Sequence, residues 1–121
     1  MQDFKKLKVW EKSHELALLI YKETSTFPKE ELFGLTSQIR RSTVSIPANI
    51  AEGCGKISQK EILRFFQISL GSAHETEYYL ILAKDLNYIN SQYKELDQKI
   101  NEIKAMLIGL IKKGKANIES L

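Results

Sequence analysis

Two histidines, each followed by a glutamate, are the side chains in this sequence with the clearest capacity for chemistry: His14-Glu15 and His74-Glu75. A zinc hydrolase would need a second histidine four residues on, so that two imidazoles share one helix face and the glutamate polarises a metal-bound water. Those positions hold Leu18 and Tyr78. Glu11 and His14 form one E-x-x-H unit, which a di-iron bundle uses twice with two further inward glutamates, but Gly71 stands three residues before His74 and no second copy exists. Cys54 has no suitably spaced histidine base and sits between Gly53 and Gly55, where it reads as a small packing residue. There is no glycine-rich phosphate loop, and no two carboxylates stand out as a perturbed acid and base. The chain is expected to be a non-enzyme with no cofactor and no metal.

The remaining chemistry is that of cations. Arg40 and Lys56 flank one segment and Lys112, Lys113 and Lys115 end another, in a chain of 18 basic and 15 acidic side chains with net charge +3. Lysines at a helix C-terminus also complement the helix dipole, and no aromatic RNA-binding strand motif accompanies them. These five residues are the candidate nucleic-acid-binding set, with phosphate as the expected ligand group. The charge balance permits an RNA partner without requiring one.

Helices must position these residues. Among 121 residues only two prolines and six glycines interrupt the pattern, and apolar residues recur at spacings of three and four without strand-like alternation. A first helix is expected from Leu7 to Thr24, with Leu7, Trp10, His14, Ala17 and Tyr21 along one face, ended by Phe27-Pro28. A second spans Leu35 to Cys54, closed by Gly53 and Gly55. Ser58 and Glu61 form a capping box that opens a third helix reaching Leu86. After a turn over Asn87 to Ser91, Tyr93, Leu96, Ile100, Ile103, Leu107 and Leu110 mark the fourth. Short loops favour antiparallel neighbours, giving one all-α domain over residues 1–121, an up-down-up-down four-helix bundle.

Two features exceed what a monomeric bundle needs. Leu16 to Tyr21 are consecutive apolar residues surrounding the axis of helix one, and Met106, Leu107, Ile108, Leu110 and Ile111 cover an arc of about 200° on helix four. Self-association is expected to cover the surplus. Helix two carries Pro47 in its interior, yet Leu35, Ile39, Ile46 and Ile50 stay within about 60° of one another across it, favouring one kinked helix over a new one capped by Ser45. The bend is expected to leave the Thr43 carbonyl to a side chain or water. Beside the apolar seam runs a polar row, Gln38, Arg41, Ser45, Asn49 and Glu52, next to the small side chains of Val44, Ala48 and Ala51. Arg41 and Glu52 lie about 16 Å apart along the axis, so they cannot pair within the helix. Both, with Asn49, are expected to be buried and bonded to another helix or subunit, with Glu75 and Glu77 as candidate acids.

The runs QIRRSTVSIPANIAEG at 38–53, FP at 27–28 and GSAHETE at 71–77 resemble the bacterial four-helix-bundle family of 23S rRNA-intervening-sequence proteins, with the pattern Q-I-R-R-A-x-x-S-I-P-x-N-I-A-E-G followed later by G-S-x-x-E-x-E. The resemblance spans nearly the whole chain and includes the tryptophan of LKVWEK and the TSTFP after helix one. Ser42 stands where alanine is usual, and Cys54, His74 and Thr76 occupy variable sites. The resemblance implies a ring-like homo-pentamer of four-helix bundles. The same fold is used by the accessory variability determinant proteins of diversity-generating retroelements, basic pentamers that associate with a reverse transcriptase and its RNA. Two functions follow as expectations: an RNA-associated or ribonucleoprotein accessory ring, partnered by RNA or a nucleic-acid-processing protein, or an oligomeric protein-interaction scaffold with no nucleic-acid role. The N-terminal MQDFKKLK has no apolar signal core and no apolar run nears the roughly 20 residues of a membrane span, so a cytoplasmic location and no membrane partner are expected.

Overall fold

The computed structural model describes residues 2–119, the side chain of residue 119 excepted. The described residues form four α-helices: α1 (Lys8–Thr24), α2 (Leu35–Cys54), α3 (Gln59–Asp85) and α4 (Tyr93–Glu119). Short 3-10 turns over Phe4–Lys6 and Lys29–Glu31 precede α1 and α2, and no strand occurs among the described residues. No helix among the described residues is long and apolar enough to cross a membrane. α2 packs on α3, α3 on α4, and α1 closes the circle against both α2 and α4.

Each helix boundary has a local cause. At the end of α1, Thr24 Oγ1 donates to the Ile20 carbonyl at 2.7 Å and Ser25 Oγ to that of Lys22 at 2.7 Å, satisfying acceptors that the ending helix leaves open. At the start of α2, the Glu31 carboxylate accepts from Leu35 N at 3.1 Å and from Tyr88 Oη at 2.9 Å, tying the cap to the loop before α4. That bond keeps the Tyr88 phenol protonated and raises its pKa. Ser58 caps α3 by accepting from Glu61 N at 3.1 Å, as the capping box requires, but the Glu61 side chain pairs with Arg64 instead of reaching back. α3 stops where Asn87 takes a left-handed conformation at φ 64°, with Asn87 N donating to Lys84 O and Tyr88 N to Ala83 O, a Schellman arrangement.

The core is one apolar cluster to which all four helices contribute, including Leu16, Ile20, Ile39, Ile46, Ile50, Phe66, Leu80, Leu96, Ile100, Ile103 and Leu107. The seam expected on α2 is buried at Leu35, Ile39, Ile46 and Ile50. On α1 the buried face is Val9, Ser13, Leu16, Ala17, Ile20 and Thr24, roughly 90° around from the expected row of Leu7, Trp10, His14, Ala17 and Tyr21. That row lies along the flank instead, where Trp10 and His14 stack with ring centroids 5.1 Å apart and Tyr21 is exposed. The surplus on α4 is largely absorbed within the chain: Leu107 and Ile111 are buried and Met106 and Leu110 pack against the core. Leu18 and Tyr21 on α1 remain exposed.

Gly53 does not terminate α2. It is buried inside the helix, and a Cβ there would lie 3.1 Å from Phe65 Cβ, 3.1 Å from Phe66 Cε1 and 3.2 Å from the Ile62 carbonyl. The glycine is therefore required by the close approach of α3. Gly53→Val should cost about 1–3 kcal/mol by overpacking this contact, read as a lowered midpoint in chemical denaturation.

Candidate nucleic-acid interface

One end of the bundle collects cations from three helices and the N-terminal turn. Gln2 N donates to the Cys54 carbonyl at 3.2 Å, which brings Lys5, Lys6 and Lys8 to the end of α2 near Lys56. Lys60 and Arg64 on α3 share a groove of about 550 Å³ with Lys115 on α4, together with Ser58 and Gln67. Lys113 and Lys8 line a second groove, between α4 and α1, whose floor is Leu7, Val9, Met106 and Leu110. Lys112, which directly precedes Lys113, is exposed. Close packing of α3 on α4 holds these positions together, since a Cβ on buried Gly114 would collide with Leu63 Cδ2.

Aromatic and acidic neighbours tune this pole. The half-buried Phe65 ring carries two cations, Lys56 Nζ at 5.1 Å and Arg64 Cζ at 4.5 Å from its centroid, so both charges are oriented by cation–π attraction. Arg64 also binds Glu61 at 2.9 Å and Lys5 binds Asp3 at 3.2 Å. Hydrogen bonding from Arg64 lowers the Glu61 pKa, and hydrogen bonding from Lys5 lowers that of Asp3, so both acids stay ionised and offset two of the cations. Lys6, Lys8, Lys56, Lys60, Lys112, Lys113 and Lys115 form no ion pair among the described residues. An unneutralised group of amines around two grooves can hold phosphate oxygens, each lysine acting as a mobile point charge.

Four of the five cations singled out in the sequence, Lys56, Lys112, Lys113 and Lys115, thus share the pole. Lys5, Lys6, Lys8, Lys60 and Arg64 join them through tertiary placement, which no spacing in the sequence announces. Arg40 lies elsewhere. Its Nε donates to Thr24 Oγ1 at 2.8 Å, its Nη2 to the Tyr21 carbonyl at 3.4 Å, and its guanidinium stacks 4.7 Å from the Tyr21 ring centroid. It is a half-buried cap on the C-terminus of α1, where the dipole favours a cation.

The polar row of α2 also divides. Ser45 Oγ and Ser72 Oγ are 2.8 Å apart, and Asn49 Nδ2 donates to the Ser45 carbonyl at 2.8 Å and to its Oγ at 2.9 Å. Gln38 is half-buried. Arg41 and Glu52, expected to be buried, are exposed and make no hydrogen bond or ion pair among the described residues. The acids proposed for them have other partners: Glu77 accepts from Lys104 Nζ of α4 at 2.7 Å, and Glu75 accepts from Tyr79 Oη at 2.8 Å. α2 runs unbroken through Pro47, so Ser45 starts no new helix, and no side chain donates to the Thr43 carbonyl among the described residues. The α2–α3 contact is made instead by hydroxyls the row did not include. Thr76 Oγ1 donates to Ser42 Oγ at 2.8 Å and Ser69 Oγ to the Ile46 carbonyl at 2.8 Å, all buried.

Neither histidine gathers metal ligands, and no group of three metal-binding side chains occurs among the described residues. Cys54 is buried, which pushes its thiol pKa up and makes it a poor nucleophile.

Comparison with known proteins settles the lineage. The family model described as 23S rRNA-intervening sequence protein matches residues 5–109. The chain belongs to this family. A solved structure of a protein of unknown function from the S23 ribosomal protein family of Bacteroides thetaiotaomicron VPI-5482 is 36% identical, with a TM-score of 0.78. The match covers 86% of this chain and 98% of that one. No curated protein matches the chain.

The separation of Arg40 from the pole has a measurable consequence. Arg40→Ala should cost about 1–2 kcal/mol of stability through the lost Thr24 bond and Tyr21 stacking, whereas Lys112→Ala and Lys113→Ala should each stay within about 0.5 kcal/mol of the parent in urea melts.

Proposed function

We propose that this protein is a non-enzymatic, cytoplasmic subunit of a homo-oligomeric ring that associates with RNA through phosphate contacts at its basic pole. The observation that carries this reading is the convergence of unpaired lysines from the start of α1, from α3 and from α4 on two grooves at one end of the bundle. Alternating helix directions fit the contacts: Ser42 meets Thr76 while Gly53 meets Phe65, and Glu77 meets Lys104 while Leu63 meets Gly114. Such an up-down-up-down bundle places the start of α3 and the end of α4 together. The family resemblance favours a pentamer. A ring would repeat the pole of each +3 chain and gain affinity by avidity, without any single chain needing a strong site.

A second reading, an oligomeric protein-interaction scaffold, draws on the large apolar side chains left exposed, Phe33 at 93% above all. Fluorescence anisotropy with a single-stranded RNA separates the two. For the RNA reading, affinity should fall steeply between low and moderate salt, and a Lys112→Glu/Lys113→Glu/Lys115→Glu variant should bind at least about tenfold more weakly with a flatter salt slope. Absence of salt-sensitive binding by the parent protein returns the scaffold reading, and a variant that binds like the parent removes these lysines from the contact.

A further inference from the structure

Ile57 beside Lys56 apart, most of the strongly exposed large apolar side chains lie in the half of the molecule away from the basic pole, and several of them group on two different faces. The first face is a groove of about 480 Å³ between α1 and α2, whose lining includes Tyr21, Leu32, Phe33 and Val44 with Arg40 and Arg41. Phe33 is 93% exposed there, and Tyr21, Leu32 and Val44 are each exposed by 41% or more. No carboxylate lines this groove, and Arg41 is unpaired. The second face is a stripe on α3. At 100° per residue Tyr78, Ile81 and Asp85 fall within about 60° of one another. Tyr78 is 56% and Ile81 41% exposed, and Asp85 is exposed with no ion pair.

Charge decides what fits the groove. Two grooves placed face to face would set arginines against arginines, which like-charge repulsion opposes. The α3 stripe offers the complement, two apolar side chains followed by a free carboxylate. The levels also agree: the Thr76–Ser42 bond sets residues 76–85 of α3 beside residues 33–42, the turn before α2 and its first two turns, so groove and stripe lie at one height on different sides of the bundle. Two distinct patches at one height are what a head-to-tail contact requires, and copies related by rotation about an axis parallel to the bundle can then close a ring.

We infer that the α1–α2 groove of one copy receives the Tyr78–Ile81–Asp85 stripe of the next copy, with Arg41 pairing to Asp85 across the contact. This rests on the homo-oligomeric reading above. It also gives Arg41 a partner between copies where the chain itself provides none. In such a ring every basic pole faces the same way, so assembly and anion binding use opposite halves of each subunit.

Sedimentation equilibrium and light scattering on the parent chain, Arg41→Glu, Asp85→Lys and the double variant test the contact, with thermal melts followed by circular dichroism to confirm that each is folded. The parent should have several times the 13.9 kDa chain mass. Each single variant should dissociate at least about tenfold more readily, and the double variant, whose charges are exchanged, should recover most of the loss. A folded parent oligomer whose dissociation constant neither single variant changes overturns this contact and leaves the assembly reading standing. Single variants that weaken assembly without recovery in the double variant overturn the Arg41–Asp85 pairing. A parent chain that stays monomeric across dilution overturns the assembly reading itself.

Discussion

The close contact of α2 with α3 is the constraint on which the other arrangements depend. Along it, Ser42, Ser45 and Gly53 of α2 face Thr76, Ser72 and Phe66 of α3, and Ser69 reaches the Ile46 carbonyl. Small side chains allow the two backbones to approach, and hydroxyls supply the hydrogen bonds that buried polar groups need. Apolar packing alone is tolerant of a one-turn slip, because isoleucines and leucines repeat every three or four residues. A row of paired hydroxyls is less so, since a slip would break the Thr76–Ser42, Ser45–Ser72 and Ser69–Ile46 bonds between the helices at about 1 kcal/mol each. The row therefore fixes the height of α3 relative to α2. Through that height it sets which residues meet at each end, including the lysines of the basic pole.

Much of this was legible in the sequence. The all-α class, α2 over Leu35 to Cys54, the Ser58 cap and the turn at Asn87 follow from spacing and from residues whose side chains prescribe local geometry. The apolar seam of α2 was legible across Pro47 because helical projection depends only on residue number. The buried face of α1 was not. In a run of six consecutive apolar residues every direction is apolar, so periodicity cannot say whether Leu16 and Ile20 or Ala17 and Tyr21 point inward. Neighbouring helices decide it, and Leu16 and Ile20 are the ones fully buried in the shared core. The hydroxyl row was missed for a related reason. Serine and threonine read as solvated or as helix-neutral in isolation, and only the partner strand of contacts on α3 reveals that Ser42, Ser69 and Thr76 are buried. Ser42 and Thr76, 34 residues apart in sequence, bond to each other, a match that a linear reading cannot show.

The candidate interface was legible by composition and invisible by arrangement. Lys112, Lys113 and Lys115 announce themselves as a cluster, but Lys60 and Arg64 look like ordinary helix-surface charges until α4 is laid beside α3. Arg40 shows the opposite error: adjacent to Arg41 in sequence, it points toward α1 because consecutive helical residues diverge by about 100°. One arginine of the pair caps a helix, and the other is left free. Unpaired amines gather at one end of the bundle, while Tyr21, Leu32, Phe33 and Tyr78 are exposed toward the other.

The claim that close approach through small hydroxyl residues sets the architecture is tested most directly at Ser69, which is fully buried between the helices. Urea denaturation should be compared for Ser69→Ala, which removes one hydrogen bond and keeps the spacing, and Ser69→Leu, which forces the helices apart. The account predicts a loss of about 1 kcal/mol for alanine and a loss of about 3 kcal/mol or more, or failure to fold, for leucine. A leucine variant as stable as the alanine variant would contradict it, because the α2–α3 spacing could then widen without cost.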